Sequence, residues 1–245
     1  MKRTLVILPT YNEIGAVAAV IDSIIRNIGF DVLVVDDASP DGTVLAVKEL
    51  MAAGNKNLFI IERTAKLGLG SAYIAGFKWG MARDYDYFIE MDADGSHDPI
   101  TLQQFLLEMG KGYDLVIGSR YMGNKLNVVG WDLHRLLLSK FGTFYASKLM
   151  GLRLSDLTSG YRCYSRKALN SIDISSVCSN GYAFQIEMAY LAVTAGLKVG
   201  EVPIVFYERG SGSSKMSLEI IKEAAFLPWR IKAKKLKEFL FFKNK

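Results

Sequence analysis

Histidine, cysteine and proline are scarce in this 245-residue chain, with two, two and five copies. Neither His97 nor His134 accompanies a plausible serine or cysteine nucleophile, so Ser–His or Cys–His chemistry has no visible machinery. Cys163 and Cys178 lack metal-ligand spacing and form no paired framework, which points to free thiols in a reducing compartment. Glycine-rich or proline-rich linkers, internal repeats and low-complexity segments are missing. The apolar run before Pro9 is too short for a signal peptide. No stretch approaches the ~18 uninterrupted apolar residues of a membrane span. What is present is a chain half hydrophobic, enough for a sizeable core in one large domain or two small ones.

The formal charge of +5 is uneven. Residues 230–245, RIKAKKLKEFLFFKNK, hold seven of the thirty Lys and Arg and one of the twenty-five acids, which leaves the other 229 residues at −1. Trp229, Ile231, Leu236, Phe239, Leu240, Phe241 and Phe242 interleave with those cations. A basic, aromatic-bearing tail suits an anionic membrane surface, and it equally suits a terminal helix packed by its aromatic face. Nucleic acid is not expected as a partner, because the near-neutral body offers no groove to extend the patch.

The stretch FIEMDADGSHDP (88–99) carries the strongest chemical signal. Read as a strand holding Phe88, Ile89 and Met91, it delivers Asp92 and Asp94 near the carboxyl end. Side chains two apart on a strand share a face, so both carboxylates would point to one spot. Like charges that close call for a cation, and a divalent metal carrying a diphosphate fits. Asp98 has its own explanation as the cap of a helix beginning at Pro99.

Around this stretch the first 120 residues alternate. RTLVILP, DVLVVDD, NLFIIER, YDYFIEMD and YDLVIGS read as strands; IGAVAAVIDSIIRNI, residues 41–51, LGSAYIAGFKWGMA and residues 99–110 read as helices. Near-continuous apolar strands joined by helices predict an α/β fold with a mostly parallel sheet covered on both faces. Beyond residue 120 come a loop at 123–130, a helix at about 133–149, the mixed segment SGYRCYSRKAL, the helix FQIEMAYLAVTAG and the strand KVGEVPIVFYE. A single domain is expected over 1–229, its nucleotide-binding half 1–120 and its acceptor half 121–229, followed by the basic tail.

Four strands end in polar residues: Tyr11 and Glu13, Asp36 and Asp37, Asp92 and Asp94, Ser119 and Arg120. A ligand across the carboxyl edge accounts for all four. KLGLGSAYIAG (66–76) matches neither a P-loop nor a dinucleotide fingerprint; its glycines either receive phosphate or only allow tight entry into a helix. The acid pair in DVLVVDDAS also suits a receiver-like signalling protein, although a receiver carries that pair on its first strand.

LPTYNE, VVDDASPDGT, LGLGSAYIAGF, MDADGSHDP, GSRY, GWDLHRLLLSK, DLTSGYRCY, GYAFQIEM and GEVPIVFYERGSGSSK follow the order seen in polyprenol-phosphate mannose synthases, and from about residue 5 to 227 the chain resembles that group of glycosyltransferase family 2. The resemblance implies a GT-A (Rossmann-like) fold, GDP-mannose as donor, Mg²⁺ or Mn²⁺, and a polyprenyl or dolichyl phosphate acceptor; UDP-glucose or UDP-N-acetylglucosamine is the alternative donor. It places Pro9, Tyr11, Glu13, Val35 and Asp37 on the nucleoside, with Asp37 reading the base. Asp92, Ala93 and Asp94 become the D-x-D element on ribose, diphosphate and metal. Position 96, often Gln in relatives and a metal ligand there, is the shorter Ser96. Arg120, Arg135, Ser139, Arg209 and Lys215 would gather phosphates. Arg135 and Ser139, four apart on a helix, share a face. Many relatives carry C-terminal transmembrane helices, so this chain is expected to reach its lipid peripherally, on the cytoplasmic face. The surfaces for that contact are 133–149 and 226–245, or a small integral membrane partner supplies it.

Overall fold

A computed structural model describes residues 2–122, 127–130, 133–177, 179–208 and 226–231. The expected alternation forms: β1 (Thr4–Thr10), α1 (Val17–Asn27), β2 (Asp31–Asp36), α2 (Thr43–Ala52), β3 (Leu58–Glu62), α3 (Leu69–Met81) and β4 (Tyr87–Glu90). A 3₁₀ turn at Pro99–Thr101 then leads into α4 (Leu102–Gly110) and β5 (Leu115–Ser119). Asp98 caps that turn, its carboxylate accepting the Ile100 N–H at 3.0 Å. The later elements are β6 (Val128–Val129), α5 (Leu133–Met150), β7 (Arg162–Ser165), α6 (Arg166–Ser171), α7 (Gly181–Thr194), β8 (Val199–Pro203) and β9 (Phe206–Tyr207).

Successive strand residues point to opposite faces, and two cores result. Leu5 and Ile7 of β1 join Tyr73 and Phe77 of α3 and Phe184 of α7 on one face. Val6 and Leu8 join Val17, Ile21 and Ile24 of α1 and Phe105 of α4 on the other. Both faces are covered, which is why the strands are apolar almost throughout.

The main sheet runs β3-β2-β1-β4-β7-β5-β8, and only β7 is antiparallel to its neighbours. β7, drawn from the mixed segment SGYRCYSRKAL, lies between β4 and β5. One sequence expectation needs correction: KVGEVPIVFYE is not one strand. β8 ends at Pro203, with the Ile204 N–H still donating to the Ser119 carbonyl at 3.0 Å, and β9 leaves to pair with β6. Among the described residues no helix is long and apolar enough to cross a membrane.

Candidate active site

Parallel β2, β1 and β4, with β5 beyond β7, direct their carboxyl ends to one edge. The last bond of the β4 ladder is the Met91 N–H to the Ile7 carbonyl, at 3.3 Å. Asp92 and Asp94 therefore stand past the strand, and strand alternation does not explain their placement. Loop hydrogen bonds do: the Asp92 N–H donates to Nδ1 of His97 at 3.3 Å, and the Asp94 carboxylate accepts the Ser96 N–H at 3.0 Å. Gly95, at φ +78°, makes the reversal between them.

The donor set suits a hard divalent ion. Asp92 and Asp94 are half-buried, Ala93 between them is buried, and Ser96 is fully buried with an Oγ that has no hydrogen-bond partner. Among the described residues no group of three or more His, Cys, Asp or Glu could hold a metal by itself. A site of two carboxylates completed by substrate phosphates is the usual form for Mg²⁺. The residues fit that ion, and Mn²⁺ by the same chemistry.

Across the β4–β7 register, Glu90 opposes Arg162 just before Asp92. Burial raises the Glu90 carboxyl to about 7, with Arg162, Gln185 and Tyr164 pulling it down only in part. Neither Glu90 oxygen has a partner of hydrogen-bond geometry. Arg162 donates instead to the carbonyls of Ser159 (2.8 Å), Gln185 (2.7 Å) and Leu157 (2.8 Å), tying the 157–162 segment to α7. Cys163 beside it is a free thiol that burial pushes up, an inert group.

On the β1–β2 side, Pro9 and the buried Val35 face each other in register. Lys66 Nζ lies 4.0 Å over the Tyr11 ring. The Glu13 N–H donates to Thr43 Oγ1 at 3.0 Å, and its carbonyl receives the Ala16 and Val17 N–H groups that begin α1. Asp37, which the resemblance puts on the base, has protein partners here. Its carboxylate pairs with Arg63 and accepts the N–H groups of Leu67 (3.1 Å) and Gly68 (2.9 Å). Arg63 also donates to Ser71 Oγ at 2.7 Å and to the Gly68 carbonyl at 3.1 Å. The pair holds the 63–68 segment against β2. Asp36 likewise accepts from Thr10 Oγ1 at 2.7 Å and from the Ser39 N–H at 2.8 Å. The receiver-like alternative fails here, because the pair ends the second strand of a seven-stranded sheet and both carboxylates serve the loops.

The glycine run has a packing reason. The Leu67 and Gly68 amides already bind Asp37, and a Cβ on Gly70 would fall 2.5 Å from the Ser179 carbonyl oxygen and 2.8 Å from Phe184. Gly70 lets α3 start against the entry to α7.

At the end of β5, Arg120 is buried and bound at both ends of its guanidinium to Asp156, through Nε at 2.6 Å and Nη2 at 2.7 Å. Burial opposes its charge, but Asp156 overcomes this and raises the Arg120 pKa. Nη2 also reaches Thr158 Oγ1 at 2.8 Å, which lies 3.3 Å from Ser139 Oγ on α5. Tyr121 OH donates to the same Ser139 at 2.8 Å. Arg120 and Ser139 are thus brought together, with protein rather than phosphate supplying these contacts. Arg135 takes its place on α5 four residues earlier. Arg209, Lys215 and the tail from 232 lie outside the described residues.

Sequence reasoning missed Arg63, His97, Asp156 and Arg162 as parts of this edge. Asp156 and Arg162 do stand inside DLTSGYRCY, which signals importance without a role.

Residues 5–173 match the model of glycosyl transferase family 2. The chain belongs to that family. This family 2 glycosyltransferase is 46% identical to the polyprenol monophosphomannose synthase of Mycolicibacterium smegmatis over 226 residues, covering 92% of this chain and 85% of that protein. It is also 46% identical to the undecaprenyl-phosphate mannosyltransferase of Micrococcus luteus over 227 residues, covering 91% and 90%. Among solved structures it resembles glucosyl-3-phosphoglycerate synthase from Mycobacterium tuberculosis in complex with Mn²⁺, UDP-glucose and phosphoglyceric acid. That match has TM-score 0.67 and 21% identity, covering 93% of this chain and 80% of that one. The family 2 chain has the GT-A fold, a largely parallel sheet flanked by helices.

Proposed function

We propose that this enzyme transfers mannose from GDP-mannose to a polyprenyl phosphate, releasing GDP and forming a β-linked lipid phosphate mannose. The observation that carries the reading is α5. One side of it places Ser139 on the Arg120–Asp156–Thr158 network. Its outer face exposes Leu137, Phe141 and Phe144, which recur at helical spacing, with Lys140 and Lys148 beside them. Phe226 and Trp229 are exposed too, and Trp229 Nε1 donates to Tyr145 OH at 2.9 Å. A helix polar toward the site and greasy toward solvent suits an acceptor with a phosphate head and a lipid tail. The two relatives named for mannosyl transfer to such lipids support the sugar.

A lipid phosphate oxygen attacks the anomeric carbon as the bond from that carbon to the GDP β-phosphate oxygen breaks. The acceptor monoester has a second pKa near ~6 and is mostly dianionic at neutral pH, so no histidine base is needed. Asp92 and Asp94 would hold the divalent ion, with Ser96 beside them, and the bound ion would neutralise charge on the departing diphosphate. Pro9, Tyr11, Glu13 and Val35 shape the nucleoside pocket, and Asp37 with Arg63 fixes its wall. Arg135, Ser139, Arg209 and Lys215 gather phosphates, while Arg120 positions Thr158 and Ser139. Direct displacement inverts the anomeric centre, and an α-linked product would overturn this step.

The enzyme is tested with Mg²⁺, a short polyprenyl phosphate and radiolabelled GDP-mannose, UDP-glucose or UDP-N-acetylglucosamine, counting label in the organic phase. GDP-mannose alone should deliver label. Label from a UDP-sugar alone would keep the site and change the donor.

Peripheral attachment to the cytoplasmic face follows if the α5 stripe enters an anionic bilayer. A Phe141→Ser/Phe144→Ser variant should lose at least about tenfold in binding to phosphatidylglycerol vesicles, since burying one Phe is worth ~1.5–3 kcal/mol. Sedimentation with vesicles reads this, and equal binding by the variant would move the contact to the tail or to an integral partner.

A further inference from the structure

We propose that His97 is a positioning residue that sets the Asp92 turn, and through it the divalent ion; this rests on the metal-dependent reaction above. The β4 ladder ends with the Met91 N–H on the Ile7 carbonyl, and Asp92 follows it. His97 Nδ1 accepts that N–H at 3.3 Å. The acceptor must be an unprotonated nitrogen, so the ring proton sits on Nε2.

The ring cannot turn away from this duty. His97 is 2% exposed. It stacks on Tyr161 at 4.5 Å between centroids and 8° between planes, and meets the Phe206 edge at 5.4 Å and 77°. Tyr161 is held in turn, its OH donating to the Asp98 carbonyl at 3.1 Å and its own carbonyl accepting the Gly118 N–H at 2.8 Å. From the other side, Phe206 forms a β-bridge with His97, and the Tyr207 N–H donates to the Ser96 carbonyl at 3.1 Å. The D-x-D loop is therefore braced by β5, the 157–162 segment and β9 together, and His97 is the member of that brace that reaches Asp92. Removing the acceptor takes away the bond that ties the Asp92 backbone to this brace.

The test is Mn²⁺ binding by electron paramagnetic resonance, with GDP present, on four variants with melting curves for each. His97→Phe keeps a ring and removes the acceptor; it should bind Mn²⁺ ~10–100-fold more weakly, the usual effect of losing an outer partner of a metal ligand. His97→Asn and His97→Leu match in size and differ in the acceptor, because the Asn Oδ1 occupies the place of Nδ1. Asn should bind Mn²⁺ at least about tenfold more tightly than Leu. His97→Ala should resemble Leu. If His97→Phe does not fold, the Asn–Leu pair still decides. Wild-type affinity in His97→Phe, or equal affinities for Asn and Leu, would overturn the proposal and leave His97 a packing residue. Wild-type protein that binds GDP but no Mn²⁺ would overturn it together with the metal-dependent reaction. Mn²⁺ affinities as expected, with no mannose transferred, would leave His97 in place and remove only the donor assignment.

Discussion

Asp94→Ala protein should fold and transfer sugar at least about 10³-fold more slowly than wild type, a loss of roughly 4 kcal/mol in transition-state stabilisation. The expectation rests on Asp94 being one of the two carboxylates of the D-x-D element, beside an orphaned Ser96 hydroxyl. No third acid stands ready to replace it among the described residues. The structural cost is small, because Asp94 is half-buried, and the hydrogen bond it accepts from the Ser96 amide sets the scale. About 1 kcal/mol, or ~2–4 °C in melting temperature, is the scale. Wild-type enzyme stripped with EDTA should lose activity to the same degree and regain it with Mg²⁺, whereas excess Mg²⁺ should not rescue the variant. Organic-phase label and circular-dichroism melting read the two quantities. Activity within tenfold of wild type would remove Asp94 from the reaction.

Asp156→Ala should damage the fold itself. Side-chain exposure is 4% at Arg120 and 0% at Asp156, so removing the carboxylate takes a bidentate partner from a buried cation. Breaking such a pair costs ~3–5 kcal/mol, which in a chain of this size lowers the melting temperature by about 10 °C or more. The loss should persist at pH 9, since arginine stays charged there. Replacing both partners, Arg120→Met with Asp156→Leu, should recover most of the stability, because the desolvation penalty disappears with the charges. The double variant should nevertheless transfer poorly if Arg120 positions Thr158 and Ser139. A single variant melting within 3 °C (~1 kcal/mol) of wild type would show that water or another acid already compensates Arg120.

The strands and helices of the front half were legible because their signals are local. Leu5–Leu8, Val32–Val35 and Phe88–Ile89 are apolar on both faces, and the structure covers both faces. Asp98 before Pro99 was legible for the same reason, since a cap acts within one turn. The expected Asp92–Asp94 pairing was right about the edge and wrong about its cause, because strand alternation stops at Glu90. Asp37 and Arg63 are far apart in sequence, and nothing near either one announces the other.

The sequence by itself determined the element order of the first 120 residues, the acidic edge of the sheet, and the segregation of charge into the tail. Each follows from periodicity or composition within a short window. Only the tertiary structure decided that β7 runs backwards between β4 and β5, that Arg120 answers Asp156, and that His97 receives the Asp92 amide. The first two join residues more than thirty positions apart, where strand pairing and charge pairing are chosen by which surfaces fold against each other. The third spans five residues, yet it depends on Tyr161 and Phe206 closing on the ring from the far half of the chain.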